Sequence, residues 1–426
     1  MTKAIIVIGA NFGDEGKGAA VNHLVGVTGA RDIIRFNGGS QAGHTVQTKA
    51  GLRHVFHNFG SGTLKGANTW YTKDVLFNPV YAHYERAELE DMGIRPNLIR
   101  VNPDCVVISP WDIALNQFKE LGRGDARHGS VGHGINEAVT RHLIPEAPSL
   151  LAGDLMNDKY LLAFAGEAQD WYLKQVRKGI QDGIFNGLHA DDKLAYLISD
   201  RVLSKMMFTF LEYQPAFMRI ANYGEARKTA KAGPDANEGD AFTSHFPSEK
   251  EHVIFEGAQG LLLSQERGEY FPHLTRSNTG IENAVTCCDY EGVEIVDVVY
   301  VTRPYLTRHG AGPILHKDGR LCDDLWTQGK DATNKPGTYQ GSIRYAHIDW
   351  YELGQRIRQD MQRIGKHNAK PRIMVSCVDQ LSNQEKYQLW YKGQMTEWDS
   401  SQLGGLLAKI ENLVGIEIQA IDGLKG

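Results

Sequence analysis

The chain of 426 residues has no apolar run near the roughly 18 residues that a membrane-spanning helix needs, and its first apolar stretch, Ala4 to Ile8, is too short for a secretory leader. No span and no leader are therefore expected, and the protein reads as soluble and cytoplasmic. Cysteine is scarce: Cys105, Cys287, Cys288, Cys322 and Cys377 form no CxxC pair, and their odd number speaks against a disulfide framework. Excess positive charge is missing too. A net charge of -5 argues against a nucleic-acid backbone as main partner, which would need concentrated Lys and Arg. No GxGxxG follows the first apolar run, so a dinucleotide-dependent dehydrogenase is excluded. Internal repeats and domain linkers are also absent.

What is present is a large potential core, with 42% apolar residues, and short apolar runs bounded by Gly, Asn or Pro. KAIIVIGA, DIIRF, CVVISP, HVIFEG, EIVDVVYVTRPY, RIMVSCVD and IEIQAID are strand candidates, most of them apolar on both faces, as in a largely parallel sheet covered by helices. Helical patterns such as GAAVNHLVG and DWYLKQVRKGIQDGI lie between them. The expected class is α/β: a single large domain, residues 1–426, around a mainly parallel central sheet, with a helical excursion at about 150–230. The polar ARKTAKAGPDANEGDAFTSH that follows reads as a loop.

The stretch IGANFGDEGKGAAVNHL resembles a phosphate loop but departs from one. Gly9 stands too far from Gly16 and Lys17, and Gly18 replaces the hydroxyl residue that would meet magnesium. Asp14 and Glu15 place carboxylates where phosphate oxygens would sit. A helix starting near Gly16 would aim its N–H groups at an anion, with Lys17 adding charge. Acid there makes sense if the loop does chemistry: Asp14 would meet magnesium or exchange a proton with substrate. RFNGGSQAGHTV frames His44 with glycines that let backbone approach a ligand. GRGDARHGSVGHGINEAV could wrap phosphate around Ser130, whereas a metal pair of His128 and His133 has no third ligand at suitable spacing. After a strand, EGAQG offers Gln259, and Ser277, Asn278 and Thr279 add groups suited to an uncharged polar ligand. Arg308 and Arg344 are candidates for a carboxylate or phosphate, with surface solvation the plain alternative.

In this order the stretches resemble the adenylosuccinate synthetase family. GDEGKG, AGHT and EGAQG carry the likeness, supported by SNT, TR-x-G-x-GP and an Arg-bearing loop ending at Arg344. That resemblance implies joining of L-aspartate to C6 of a 6-oxopurine nucleotide after phosphorylation of its 6-oxygen by a purine NTP. It implies Asp14 as the base at N1, His44 as the acid beside the transferring phosphoryl group, and Lys17 as a third member of the catalytic group. Mg2+ would be held by Asp14 and the carbonyl of Gly43. Gly13, Glu15, Gly16, Lys17, Gly18, Gly43, Thr45, Asp379 and Gly423 would serve the NTP and its phosphates. Asn37, Gln41, Ser130, Val131, Gln259 and Thr279 would serve the nucleotide substrate, and Gln340, Ser342, Arg344 and Arg308 the aspartate. The family's homodimer would bring Arg141 to the partner's nucleotide phosphate.

The departures point further. Ala19 replaces a second lysine, Gln41 an asparagine, and Ser130-Val131 a Thr-Thr pair. QGSIR stands where the family has TGRRR, so Ser342 takes the place of an arginine that reaches aspartate and the ribose 2'-hydroxyl. A deoxynucleotide loses nothing by that change. The expected substrate is therefore dGMP, as in the virus-associated branch that makes 2-aminoadenylosuccinate, which would act in host cytoplasm; IMP is the alternative. SCVD replaces the guanine-reading TKLD, and the chain ends in AIDGLKG, so ATP or dATP is a plausible donor beside GTP. A non-ligating NTPase switch is the rival from another class, and the intact Asp14 and His44 argue against it.

Overall fold

The computed structural model describes residues 2–184, 196, 198–222, 252–314, 341–383 and 386–421. Its centre is β1 (Lys3–Gly9), where every residue after Lys3 is buried, as expected for an interior strand of a parallel sheet. The other strands of this sheet are β2 (Asp32–Arg35), β5 (Asn68–Tyr71), β6 (Ile99–Val101), β7 (Ala221–Asn222), β8 (His252–Glu256), β9 (Glu294–Thr302), β12 (Lys370–Val375) and β15 (Glu417–Ala420). They run in the order β15-β12-β9-β1-β8-β2-β5-β6-β7, all pairs parallel. Three antiparallel hairpins accompany them: β3 (His44–Gln47) with β4 (Arg53–Phe56), β10 (Leu306–His309) with β11 (Ile343–Ala346), and β13 (Lys386–Tyr391) with β14 (Gln394–Asp399).

From β1 the chain works outward through β2, β5, β6 and β7, returns to insert β8, and then builds the opposite half. The carboxyl ends of β1, β8 and β9 therefore meet where the direction of winding reverses, which is the place an open α/β sheet binds ligands. One face of this centre is covered by α1 (Lys17–Thr28), through Val21, Leu24 and Val25 against Ile5, Val7, Ile33 and Ile254. The other carries α8 (Glu282–Glu291), α9 (Trp350–Met361) and α10 (Leu403–Val414), packed through Val285, Trp350, Leu353, Ile357 and Ile410.

Around the outer strands lie α2 (Pro79–Asp91), α3 (Pro110–Arg123), α4 (Ile135–Leu143), α5 (Asp158–Gln181), α6 (Asp200–Glu212) and α7 (Gln214–Ile220). Trp111, Phe164 and Phe210 join α3, α5 and α6 in one aromatic cluster, with ring centroids 5.7–6.2 Å apart. The described residues of the stretch expected to be a helical excursion include α5, α6 and α7, and after α7 the chain enters the sheet: β7 pairs parallel with β6. CVVISP is not a regular strand. Val106 and Val107 make isolated bridges only, and Ser109 with Asp112 forms a capping box that starts α3 at Pro110. The polar loop expected at 226–245 lies outside the described residues. Among the described residues no helix is long and apolar enough to cross a membrane.

Arg141, which the resemblance assigns to a partner's nucleotide, is enclosed within the subunit. It is 1% exposed. Its guanidinium holds both oxygens of Asp112 at 2.9 and 3.0 Å and donates to the carbonyls of Pro148 and Val107, with the Phe164 ring 5.1 Å away. Four of its five N–H donors are thus taken up within the subunit. Arg141→Leu should therefore cost about 3–5 kcal/mol of stability, as breaking one side of a buried pair does. Denaturant unfolding would measure it; unchanged stability with a raised nucleotide KM would support the intersubunit role.

Candidate active site

The loop from β1 to α1 is held by its own acid. Glu15, 2% exposed, accepts from the N–H groups of Asn11 at 2.7 Å and Gly13 at 2.9 Å, and pairs with Lys17 Nζ at 3.1 Å. It is a brace inside the loop rather than the phosphate contact expected of it. Three successive carbonyls are tied from outside. That of Gly13 accepts from the Thr307 hydroxyl at 2.8 Å, that of Asp14 from Arg303 Nε at 2.6 Å, and that of Glu15 from the Ser376 hydroxyl at 2.6 Å. Gly13, Asp14 and Gly16 take φ values of 94°, 60° and 88°. Asp14 keeps its side chain partly open to solvent, 27% exposed, with His309 Nε2 3.7 Å away. No side chain caps α1 at Gly16, so its first-turn N–H groups are open to an anion.

Gly18 shows why no hydroxyl follows the lysine. A Cβ there would lie 2.8 Å from the Thr45 carbonyl oxygen and 2.9 Å from the His44 carbonyl carbon, so glycine is what lets β3 press onto α1. This contact seats His44. Its Nδ1 lies 2.5 Å from Glu256 Oε1, and its buried Nε2 has no partner among the described residues. Glu256, wholly buried at the end of β8, also accepts the Ser61 N–H at 3.0 Å and the Ser61 hydroxyl. Burial holds the His44 imidazole down at about 4, from an ordinary 6.5, with Arg35 and Lys17 adding to the effect and Glu256 opposing it. Burial works to raise the Glu256 carboxyl, but His44, Arg35 and the Ser61 hydroxyl outweigh it and hold it at about 2.

Gln41 offers both ends of a buried amide with no partner among the described residues. Gln259, half-buried at φ 64°, stands on the turn after β8. These two remain available to a polar ligand. Asn37 does not: its amide oxygen takes the Ala258 N–H at 2.6 Å and its nitrogen donates to the Asn278 carbonyl at 2.9 Å. Thr279 is likewise spent on the Gly260 carbonyl, 2.9 Å away. Ser130 bonds Asn116 at 3.1 Å, and Val131 beside it is half-buried. The glycine-rich stretch carrying them reaches the others through the backbone. His133 and His57 both bond the Ser40 carbonyl at 3.1 Å, and His273 bonds that of His128 at 2.9 Å. Among the described residues no group of three or more His, Cys, Asp or Glu could hold a metal.

Arg308 and Arg344 face each other across β10 and β11. Arg308 is 2% exposed and spent: it donates to the carbonyls of Pro313 and His273 at 2.5 and 2.8 Å and lies 4.3 Å over the Phe12 ring. Burial, with Arg344 opposite, pulls its pKa down to about 10. These contacts tie β10 to the segments that carry Phe12, His273 and Pro313. Arg344 is half-buried and donates to the Gly312 carbonyl at 2.7 Å; Ser342 is exposed just before it. Gly43 is exposed, Thr45 half-buried, and Asp379 exposed on the turn after β12. Gln340 and Gly423 lie outside the described residues. Sequence reasoning gave no role to Glu256, Ser61, His309 or Ser376, and placed Arg303 only within the Thr302 to Arg308 region that it expected to meet aspartate. A charged residue closing an apolar strand, as in HVIFE, was the available signal for Glu256; for Ser61 none was.

Both His44 and Glu256 bind protons more readily in the unfolded chain than in the folded one. The His44 contribution is fully present above about 6.5 and is lost as pH falls toward 4; that of Glu256 is present above about 4.5 and lost toward 2. Denaturant unfolding at a series of pH values should show stability declining with acid from about 6.5, and His44→Asn should flatten the decline between 6.5 and 4. Equal slopes in the two proteins would contradict a buried neutral imidazole.

The model of the family described as adenylosuccinate synthetase matches residues 6–372. Adenylosuccinate synthetase of Chromohalobacter salexigens is 30% identical over 315 residues, covering 74% of this chain and 64%, just under two thirds, of that protein's length. That of Alkalilimnicola ehrlichii is 29% identical over 417 residues, covering 96% and 85%. Fully ligated adenylosuccinate synthetase from Plasmodium falciparum has a similar fold, with TM-score 0.70 at 17% identity, covering 99% of this chain and 97% of that one. The succinoaminodeoxyadenylate synthetase of cyanophage S-2L, bound to dGMP and dATP as an energy donor, gives 0.51 at 12% identity, covering 96% and 99%. With a family match running from the first strand to the eighth strand of the sheet, residues 6–372, this chain belongs to the adenylosuccinate synthetase family.

Proposed function

We propose that the protein, acting as one domain, is a ligase that joins L-aspartate to C6 of a 6-oxopurine nucleotide, with dGMP the preferred substrate. The observation that carries the ligase reading is an outward carboxylate, Asp14, on the loop that enters α1, together with an imidazole, His44, seated against the start of that helix at Gly18 and with Nε2 unpartnered among the described residues. Asp14 takes the proton from N1, the 6-oxygen attacks the γ-phosphorus, and the nucleoside diphosphate leaves. The amino nitrogen of aspartate then attacks C6, and phosphate departs with the former 6-oxygen. Such a transfer calls for in-line positioning and charge neutralisation. The open N–H groups of α1 and His44 Nε2 suit the phosphates, and Gln41 and Gln259 suit the base or sugar.

The donor set fits Mg2+, which typically takes one or two carboxylates and completes its shell with phosphate oxygens and water. Asp14 and the exposed Gly43 carbonyl would hold it, and it would supply charge neutralisation on the phosphates. Arg344 suits a carboxylate of aspartate. The deoxyribose preference rests on Ser342, exposed at the position where the family's arginine reaches the 2'-hydroxyl. The donor is ATP or dATP, with GTP the alternative, since SCVD lacks the lysine beside the guanine reader. A homodimer in the cytoplasm accompanies this reading. IMP as substrate is the second reading, favoured by the bacterial relatives' names.

Phosphate release with magnesium, L-aspartate and ATP or GTP, offering dGMP, GMP, dAMP and IMP in parallel, tests both. Aspartate-dependent release fastest with dGMP is expected. Faster turnover of IMP would remove the role given to Ser342, and NTP hydrolysis indifferent to aspartate would sink the ligase. Asp14→Ala and His44→Ala should each lower kcat at least about a hundredfold, the usual scale for losing an acid or base.

A further inference from the structure

The part of the site that the proposed chemistry leaves unused is the buried group behind His44. Glu256 is fully enclosed, yet it collects four interactions at its two oxygens: His44 Nδ1, the Ser61 hydroxyl, the Ser61 N–H and the field of Arg35. Arg35 stands in register with Glu256 on the adjoining strand, is 1% exposed, and has Nε and Nη1 unpartnered among the described residues. A carboxylate that serves only to neutralise a buried arginine would form a direct bidentate pair with it. Here the oxygens are given to the imidazole and the serine instead. Ser61 is placed for this by close packing, because a Cβ on Gly60 would lie 2.7 Å from Ile33 and one on Gly62 2.8 Å from Val25.

Resting on the ligase reading, we infer that Glu256, held by Ser61 and faced by Arg35, is the positioning residue for His44: it takes the Nδ1–H, fixing the ring's tautomer and plane so that Nε2 points into the pocket. The arrangement has the logic of an orienting carboxylate behind a reactive imidazole. Ser61 supplies two of the donors that stop Glu256 from rotating. Arg35 keeps the carboxylate charged without competing for His44.

A double-mutant cycle with Glu256→Gln and His44→Ala tests it. Glu256→Gln alone should lower kcat at least about thirtyfold with nucleotide and NTP KM changed less than about threefold, and should cost less than about threefold when added to His44→Ala. Ser61→Ala should lower kcat less, and Ser61→Thr should restore it. Effects of Glu256→Gln and His44→Ala that multiply, or a KM-only effect, would overturn the inference. A second readout needs no turnover: 15N spectra of His44, assigned by its loss in His44→Ala. A ring protonated at Nδ1 in the wild type, with that proton partly lost in Glu256→Gln or Ser61→Ala, is expected. A wild-type ring without a proton at Nδ1 would overturn the inference whatever the substrate, so its failure is separable from failure of the ligase reading.

Discussion

A carboxylate enclosed in a phosphate loop is the constraint on which the rest of the site depends. The turn after β1 is long and glycine-rich, and nothing in its backbone pattern would hold it in one shape. Glu15 does so by accepting two of its N–H groups and the Lys17 ammonium in a nearly water-free space. Charge-assisted bonds of this kind are the strong ones, and leaving such a carboxylate unpaired would be costly. With the inside of the loop fixed, its carbonyls are free to be taken by Thr307, Arg303 and Ser376 from the segments that follow β9 and β12. Asp14 is then the acid that remains turned outward.

The same economy of space governs the His44 side. Gly18 gives up the hydroxyl of an ordinary phosphate loop so that the start of β3 can lie against α1, and the imidazole is delivered from a different segment altogether. On the proposed reading, the magnesium contacts that a loop hydroxyl would have made come from Asp14 and a backbone carbonyl. The loop's departure from the usual pattern and the presence of an acid within it are thus two consequences of one packing decision.

Much of this was legible in the chain. Strands apolar on both faces announce a parallel sheet, and six of the seven strand candidates are strands of it. CVVISP failed because a capping serine and a helix-starting proline outweigh local strand character. Glycine-rich stretches located the site, but they could not say which polar side chains face a ligand. Asn37, Thr279, Arg308 and Arg141 sit at motif positions and each makes hydrogen bonds within the chain. Glu256 and Ser61 lie 195 residues apart, and only the sheet order brings them together. Linear spacing carries no information about such a pair.

Backbone strain gives an independent indication of where the fold has been shaped for chemistry. Four non-glycine residues among those described have positive φ: Asp14, Gln259, Cys377 and Lys392. Lys392 is in the turn between β13 and β14, where such a conformation is ordinary. The other three follow β1, β8 and β12, each at a carboxyl end and each at 56–64°. A left-handed residue of this kind costs on the order of 1 kcal/mol or more, and neither Gln nor Cys has the local hydrogen bonding that eases it for Asp. Glycine would remove that cost at all three positions. It would also remove the carboxylate of Asp14 and the amide of Gln259, and it would loosen the turn that presents Ser376 to Glu15. Strain concentrated on three turns at one edge of the sheet, two of which carry the partly exposed side chains of Asp14 and Gln259, is the pattern expected when presentation of those groups outweighs stability.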